Sequence, residues 1–507
     1  MKNSCSKLIL ILIICMGFVG NAQDSLTLYQ HIDNQNDQLR ILNKEYYYNP
    51  ANMTDYSSYS FSNIALNYQT SNKESYLLQE GASHKKFNFE TNSYKKVTKN
   101  LTLWGNASYT NTQTEKIQWN NNIDIERINP FVIADSIGGK MNLQTYNFRG
   151  GFAKNINTFT YGLQLAYTAS LNYKTQDPRP KNTTSDLHLL FGTNYNLNNR
   201  YKIGLAAGLN RYIQTSAIKF SSEIRQNALY QMNGLGTYNF YFSNKSQSAS
   251  YTDFSHKYLV SLGSTNNLFS ITAGTFFGNL VKNIELSGNN TYETNRLAIK
   301  KKFASITKLY KLNYKFTIGG KIIYNNINNT GTEILYTTNT DVLSKLLENK
   351  NYYLKSDEFN FNFIIQFKQT TSNFFAQPFY TVVSTEESTQ SNSSYQNFKY
   401  SFIGTKLFYL QQLNSKNSIN VNANIYQRQL QYTRNNLAVS QIKGINEWLI
   451  HDLNIKKTNY TALEVAVRYD KKLAFTQSIY SIFAFDYYRF TNETNNVQLT
   501  LSLGISF

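Results

Sequence analysis

The chain has 507 residues, with 50 Lys and Arg against 31 Asp and Glu, 40 Tyr, 33 Phe, five Pro and two Cys. Its mean hydropathy is −0.46, and beyond the first two dozen residues no apolar run reaches the roughly 20 residues of a spanning helix, so a helical membrane protein is excluded. The formal charge of +19 falls to +17 without Lys2 and Lys7; no basic block exceeds Lys300-Lys301-Lys302, so anionic lipid or solutes are the expected counter-charge and nucleic acid is not.

The N-terminus reads as an export signal. Lys2 and Lys7 precede the apolar run Leu8 to Val19, and Gly20-Asn21-Ala22 supplies the small residues of a cleavage site, so 1–22 is expected to be removed after Ala22. Cys15 follows Ile14 within the apolar run and does not suit a lipid acceptor. Cys5 and Cys15 are the only cysteines, so the mature chain must fold without disulfides or thiolate metal sites. Residues 23–58 carry Leu28, Ile32, Leu39 and Leu42 at helical spacing ahead of Tyr46-Tyr47-Tyr48-Asn49-Pro50-Ala51. They are expected as a short ordered segment at the periplasmic mouth or a small plug, with a disordered tail as the alternative.

From residue 59 to 507 the pattern has period two, which predicts an all-β chain. Phe159, Tyr161, Leu163, Leu165 and Tyr167 alternate with Thr160, Gly162, Gln164, Ala166 and Thr168; Phe359, Phe361, Phe363, Ile365 and Phe367 form another row. Leu312 to Tyr324 alternates likewise, and Val497, Leu499, Leu501, Leu503, Ile505 and Phe507 close the chain on the apolar register. A soluble sandwich also alternates, but its strands are commonly about five or six residues, whereas these runs are a dozen or more and tipped with Tyr and Phe. Tight connections, such as Val97 to Asn100 and Lys308 to Lys311, alternate with longer ones, such as Glu115 to Met141, Lys174 to Ser185 and Thr385 to Ser394. Short periplasmic turns and longer extracellular loops characterise transmembrane antiparallel up-and-down barrels. The expectation is eighteen strands, with sixteen as the fallback, and Pro378 is expected to bend, bulge or shorten its strand.

Asn49-Pro50-Ala51 ahead of the first strand, the terminal strand ending at Phe507 and the Asn/Lys/Tyr-rich composition resemble the outer-membrane barrels of Bacteroidetes, in particular a family of about 500 residues of unassigned function. The resemblance implies insertion by the barrel-assembly machinery, with the strand ending at Phe507 as its signal, and no catalytic residues or cofactors. It also implies service to TonB-dependent uptake or to a secretion system, with a TonB-dependent receptor or another envelope protein as partner. A TonB-dependent receptor itself would need a plug of well over a hundred residues before about 22 strands, which 23–58 cannot supply.

Gly-x-Ser-x-Gly, His-Glu-x-x-His and phosphate-cradle patterns are missing, and His31, His84, His188, His256 and His451 are scattered, so no catalytic or metal site is expected. If Leu297, Ile299 and Phe303 face lipid, then Arg296, Lys300 and Lys302 face the lumen, next to Lys315 and Lys321, as a basic strip that would concentrate anions; Lys301 would then fall on the lipid register. The plainer reading has inward cations solvating the lumen or pairing with Glu358, Glu464 and Asp486. Trp119, in a long loop, is a candidate ligand contact, against simple loop packing. Three functions follow in order: a passive porin-like channel or uptake accessory in the outer membrane; a scaffold barrel sealed by loops and 23–58; and an outer-membrane hydrolase.

Overall fold

The computed structural model describes residues 26–198, 200–221, 229–243, 248–286, 290–337, 343–473 and 477–507. The expected leader, 1–22, lies outside the described residues. The strands are β1 (Phe61–Lys73), β2 (Ser83–Thr98), β3 (Leu101–Ile117), β4 (Ile133–Ala134), β5 (Gly139–Ile156), β6 (Phe159–Lys174) and β7 (Arg179–Asn196). They continue as β8 (Tyr201–Lys219), β9 (Tyr230–Gly234), β10 (Thr237–Asn239), β11 (Ser248–Ser264), β12 (Phe269–Leu286), β13 (Asn290–Lys311) and β14 (Phe316–Tyr336). The rest are β15 (Lys345–Lys368), β16 (Ser372–Thr389), β17 (Ser394–Asn414), β18 (Asn417–Asn436), β19 (Tyr460–Lys472), β20 (Ser478–Phe490) and β21 (Asn495–Ser506).

Eighteen of these form one antiparallel sheet, each pairing with the next, and β1 pairs with β21 to close it. The barrel therefore has the expected strand number. β4, β9 and β10 form a separate small sheet inside two of the connections. Closure runs from Lys73↔Asn496 to Asn63↔Ser506. It extends one residue further, because the Phe507 amide donates to the Ser62 carbonyl at 2.8 Å and the Ser62 amide to that of Phe507 at 3.2 Å.

Alternation separates two faces. Ile64, Leu66 and Tyr68 on β1, Phe359, Phe361 and Phe363 on β15, and Leu499, Leu501 and Leu503 on β21 stand exposed on the outer wall. A continuous apolar surface of this kind is unstable in water and matched to hydrocarbon. The opposite register is small, polar or buried: Asn194, Asn210, Gln214, Ser261 and Thr307 lie on it.

Two expectations about connections change. The turn after β13 spans 312–315, so Leu312 and Tyr314 belong to it and not to a strand. Connections read as long at 174–185 and 385–394 close in four residues, because β7 begins at Arg179 and β16 runs to Thr389. Backbone pairing needs no apolar side chains, so polar segments such as Arg179–Ser185 continue the ladder past the apolar band and mimic loops in sequence. The substantial connections are β3–β5, β8–β11 and β18–β19, all at the rim opposite the chain termini. Pro378 neither shortens nor shifts its strand: β15–β16 pairing lapses between Asn362↔Phe379 and Ile365↔Ala376 and resumes in the same register.

Deleting Phe507 should remove the two last closing hydrogen bonds and lower stability by about 1–3 kcal/mol. Heat-modifiable gel mobility and urea unfolding of the reconstituted barrel would measure this; an unchanged midpoint would show that closure does not depend on this rung.

Candidate functional site

An eighteen-stranded barrel is wide enough for an aqueous lumen, so what fills the interior decides what the wall can do. At the rim of short turns the filling is the segment before β1. Helix α1 (Leu28–Gln35) starts at a capping box between Thr27 and Gln30, and α2 (Gln38–Leu42) at Asp37, whose carboxylate accepts from the Leu39 amide at 3.0 Å. Leu28, Tyr29, Ile32 and Leu42 pack on inward Leu309, Ile364, Phe375, Phe408 and Leu410. The amphipathic spacing seen in the sequence thus buries its apolar side against the inner wall.

Asn49-Pro50-Ala51 sits on a cradle made by three adjacent strands. A Cβ on Gly162 would lie 2.4 Å from the Ala51 nitrogen, one on Gly192 2.0 Å from Asn49 Oδ1, and one on Gly204 2.6 Å from Asn49 Nδ2. Gly162 pairs directly with Gly192, and all three lie on the inward register. Any side chain there would displace the segment. The Asn49 amide donates to the Thr193 and Leu205 carbonyls, both at 3.3 Å, tying the element to two strand backbones.

Charged contacts hold the same segment elsewhere round the wall. Lys321 pairs with Glu45 and donates to the Leu42 carbonyl, with both side chains buried, 3% and 6% exposed. Lys202 meets Asp55 at 2.7 Å, Lys368 pairs with Asp33, and Asn373 donates to Asp33 at 2.7 Å. Removing one partner of a buried pair costs about 3–5 kcal/mol, far more than breaking an exposed one, so Lys321–Glu45 is the firmest of these ties.

At the opposite rim the β3–β5 connection turns inward. Its Phe131, Val132 and Ile133 are buried among Tyr212, Tyr251, Leu280, Leu297, Ile299 and Tyr352 of the wall. Arg127 of the short helix α3 (Ile125–Ile128) reaches Asp186 at 3.1 Å and the fully buried Asp253 at 2.7 Å, with its guanidinium 4.0 Å from the Tyr212 ring centre. A second cluster joins this loop to the β8–β11 and β18–β19 connections. Trp119 stacks on Trp448 of helix α4 (Lys443–Lys457) at 5.3 Å and 8°, beside Tyr230, Met232 and Ile445.

Between these fillings lies a cavity of about 1020 Å³. Leu42, Lys44, Glu45 and Tyr48 of the N-terminal segment line it, with Lys257, Lys301 and Lys406 and the acids Glu358, Glu464 and Asp486 from the wall. Glu464 pairs across the ladder with Asp486 and accepts from Asn424 and Tyr488, both at 2.8 Å. The chamber therefore carries cations on β11, β13 and β17 and acids on β15, β19 and β20.

The expected basic strip does not assemble. Leu297 and Ile299 are buried in the inward core, so the register of β13 is opposite to the one expected. Alternation turns Arg296, Lys300 and Lys302 to the outer face, where Arg296 pairs with Glu293 and Glu348, and brings Lys301 inward, its amine 5.8 Å from the Phe276 ring centre. The cause is the roof: β13 reaches beyond the apolar band, and there Leu297 and Ile299 pack against a loop inside the barrel, so hydrophobicity no longer marks the lipid side. Lys315 lies in the turn 312–315, and only Lys321 faces inward as expected. Trp119 is 3% exposed and serves as loop core, with no ring face open to a ligand. His188 faces inward beside Asp186 at 3.1 Å. Among the described residues no group of three or more His, Cys, Asp or Glu is placed to hold a metal ion.

Lys257, Lys406 and Glu45 were not singled out from sequence, although the first two lie on the inward registers of their strands. The glycine cradle also left a signal that went unread: inward glycines at comparable heights on three successive strands mark a close backbone approach.

Residues 50–507 match the family described as "Family of unknown function (DUF6850)". The chain belongs to this family. The DUF6850 match opens at Pro50, within the element seated on the glycine cradle. No curated protein matches the chain. Among solved structures, similarity is found to the ferric preacinetobactin receptor BauA from Acinetobacter baumannii, at 7% identity and TM-score 0.39, covering 88% of this chain and 80% of that one. The ferric yersiniabactin uptake receptor FyuA from Yersinia pestis gives 8% identity, the same coverages and TM-score 0.39.

Gly192→Val should push Asn49 off the wall at a cost of about 1–3 kcal/mol and raise protease cleavage within 26–57 while the barrel stays folded; Phe191→Leu, on the exposed face, should not. Equal protection in both would separate the cradle from the hold on the segment. In the roof, burial raises the carboxyl of Asp452 above its usual range, although the Leu78 amide at 3.1 Å and Trp448 Nε1 at 2.7 Å donate to it. A carboxyl whose folded pKa is raised binds its proton more readily folded than unfolded, so the roof should tighten as pH falls through that value and loosen above it. Hydrogen exchange of 443–457 against pH, which Asp452→Asn should flatten, measures the effect; exchange protection that rises with pH would contradict it.

Proposed function

We propose that this protein is an uptake barrel of the outer membrane, non-catalytic, with a gated rather than permanently open lumen. The observation that carries the reading is the chamber of about 1020 Å³ with the N-terminal segment on one side and packed loops on the other. The exposed apolar band supports membrane insertion, and the terminal strand ending at Phe507 suits recognition by the barrel-assembly machinery. The short turns and both ends of the barrel chain would then face the periplasm, where removal of 1–22 would leave the segment before β1 within reach of envelope partners such as a TonB-dependent receptor.

Solute passage requires the segment, the roof or both to move. Lys257, Lys301 and Lys406 then favour anions in the chamber, while Glu358, Glu464 and Asp486 oppose them. A second reading, a closed scaffold for envelope proteins, is favoured by the aromatic packing of Trp119 on Trp448.

Planar-bilayer recording separates the two. The mature protein should be electrically quiet, and a variant lacking 26–57 should conduct, with anion preference reduced by replacing Lys257, Lys301 and Lys406 with Gln. A folded truncated barrel that remains silent would leave the scaffold reading, and steady current from the intact protein would refute gating.

A further inference from the structure

The outer wall bears a groove of about 480 Å³ at the short-turn rim, where the β7–β8, β11–β12 and β13–β14 turns meet. Arg200, Lys308 and Lys311 line it together with Asn266, Phe269 and Tyr310. The amine of Lys308 stands 5.6 Å from the Phe269 ring centre and 5.2 Å from that of Tyr310.

The floor is braced. The Thr265 amide donates to the Arg200 carbonyl at 3.0 Å, joining two turns, and the Leu309 amide to the Leu268 carbonyl at 2.7 Å, joining two strand ends. Ser264 Oγ accepts from the Leu268 and Phe269 amides at 3.1 and 2.9 Å. The cations are therefore presented on ordered backbone. Among the described residues no carboxylate forms an ion pair with Arg200, Lys308 or Lys311 within 4.0 Å.

Two features indicate what such a groove would hold. On the lipid side of it, Ile203, Leu205 and Ile306 are exposed on the outer register, and Tyr201 and Tyr310 stand exposed at the boundary as interfacial aromatics do. The rim is also one-signed: its turns and adjoining strand ends carry Lys99, Lys154, Arg200, Lys311, Lys315 and Lys416. The acid among them is Asp470, buried and bound by Arg468 at 2.6 Å. In the N-terminal segment the carboxylates Asp33, Glu45 and Asp55 are paired with Lys368, Lys321 and Lys202.

We propose that the groove binds the phosphodiester headgroup of an anionic phospholipid, with acyl chains lying along Ile203, Leu205 and Ile306. Guanidinium and ammonium donors satisfy phosphate oxygens with charge-assisted hydrogen bonds, and the aromatic rings set the headgroup depth. The site fixes the short-turn rim in an anionic leaflet and gives the barrel a lipid-dependent stability. It rests on the reading of the apolar band as membrane-facing.

The test uses native mass spectrometry of the mature protein released from nanodiscs of phosphatidylcholine alone or mixed with phosphatidylglycerol. One retained phosphatidylglycerol is expected, reduced by at least about tenfold in Arg200→Gln/Lys308→Gln/Lys311→Gln and unchanged in Lys99→Gln/Lys154→Gln/Lys416→Gln, which removes equal rim charge elsewhere. Equal loss in both triple variants would overturn the groove in favour of diffuse rim charge, as would equal retention of phosphatidylcholine. Competition by millimolar inorganic phosphate would make it a free-anion site and overturn the lipid assignment. Failure to enter either nanodisc would instead refute the membrane reading.

Discussion

Every backbone donor and acceptor facing hydrocarbon must be bonded within the protein, and a sheet can do this only if it has no edges. Here that condition is met by β1 on β21, extended by the reciprocal Ser62–Phe507 bonds. The rest of the molecule follows from closure. A ring of eighteen strands leaves an interior that wall side chains cannot fill, so the space must hold water, other parts of the chain, or both. This chain fills both ends with its own segments and leaves a chamber between them.

Both fillings combine apolar burial with paired charges, Leu28 to Leu42 and Lys321–Glu45 at one end and Phe131 to Ile133 and Arg127–Asp253 at the other. The N-terminal segment is seated by fit and pairing: glycines remove side chains where Asn49-Pro50-Ala51 lies, and a buried Lys321–Glu45 pair anchors the other flank. The loop side is closed by hydrophobic burial, with Phe131, Val132 and Ile133 surrounded by wall residues and Trp119 against Trp448. Salt screens buried pairs such as Lys321–Glu45 and Arg127–Asp253 far less than accessible ones.

The fold was legible because a lipid-facing strand repeats a two-residue pattern that nothing else produces at this length. Strand number, the closing strand and the amphipathic stretch Leu28 to Leu42 could all be read before the structure. The site was less legible, and for a definite reason. Period two distinguishes faces but does not say which face is which, and the usual key, that apolar means lipid, fails wherever a loop folds into the barrel. Leu297 and Ile299 are apolar because Phe131 and its neighbours cover them, so the basic strip came out on the wrong side. Trp119 misled in the same way: a loop with its own buried core looks, in sequence, like a loop with a binding surface.

The segment before β1 is tethered as well as seated. It joins the barrel through residues 57–60, and Phe61 already belongs to the wall, so the tether spans at most about 14 Å when extended. Its seat lies near the rim from which that tether springs. On the proposed gating, a segment released from the glycines and from Lys321 would act as a cork on a short string, held at the short-turn mouth. Reclosure is then an intramolecular event, governed by a fixed local concentration rather than by how much protein the membrane holds.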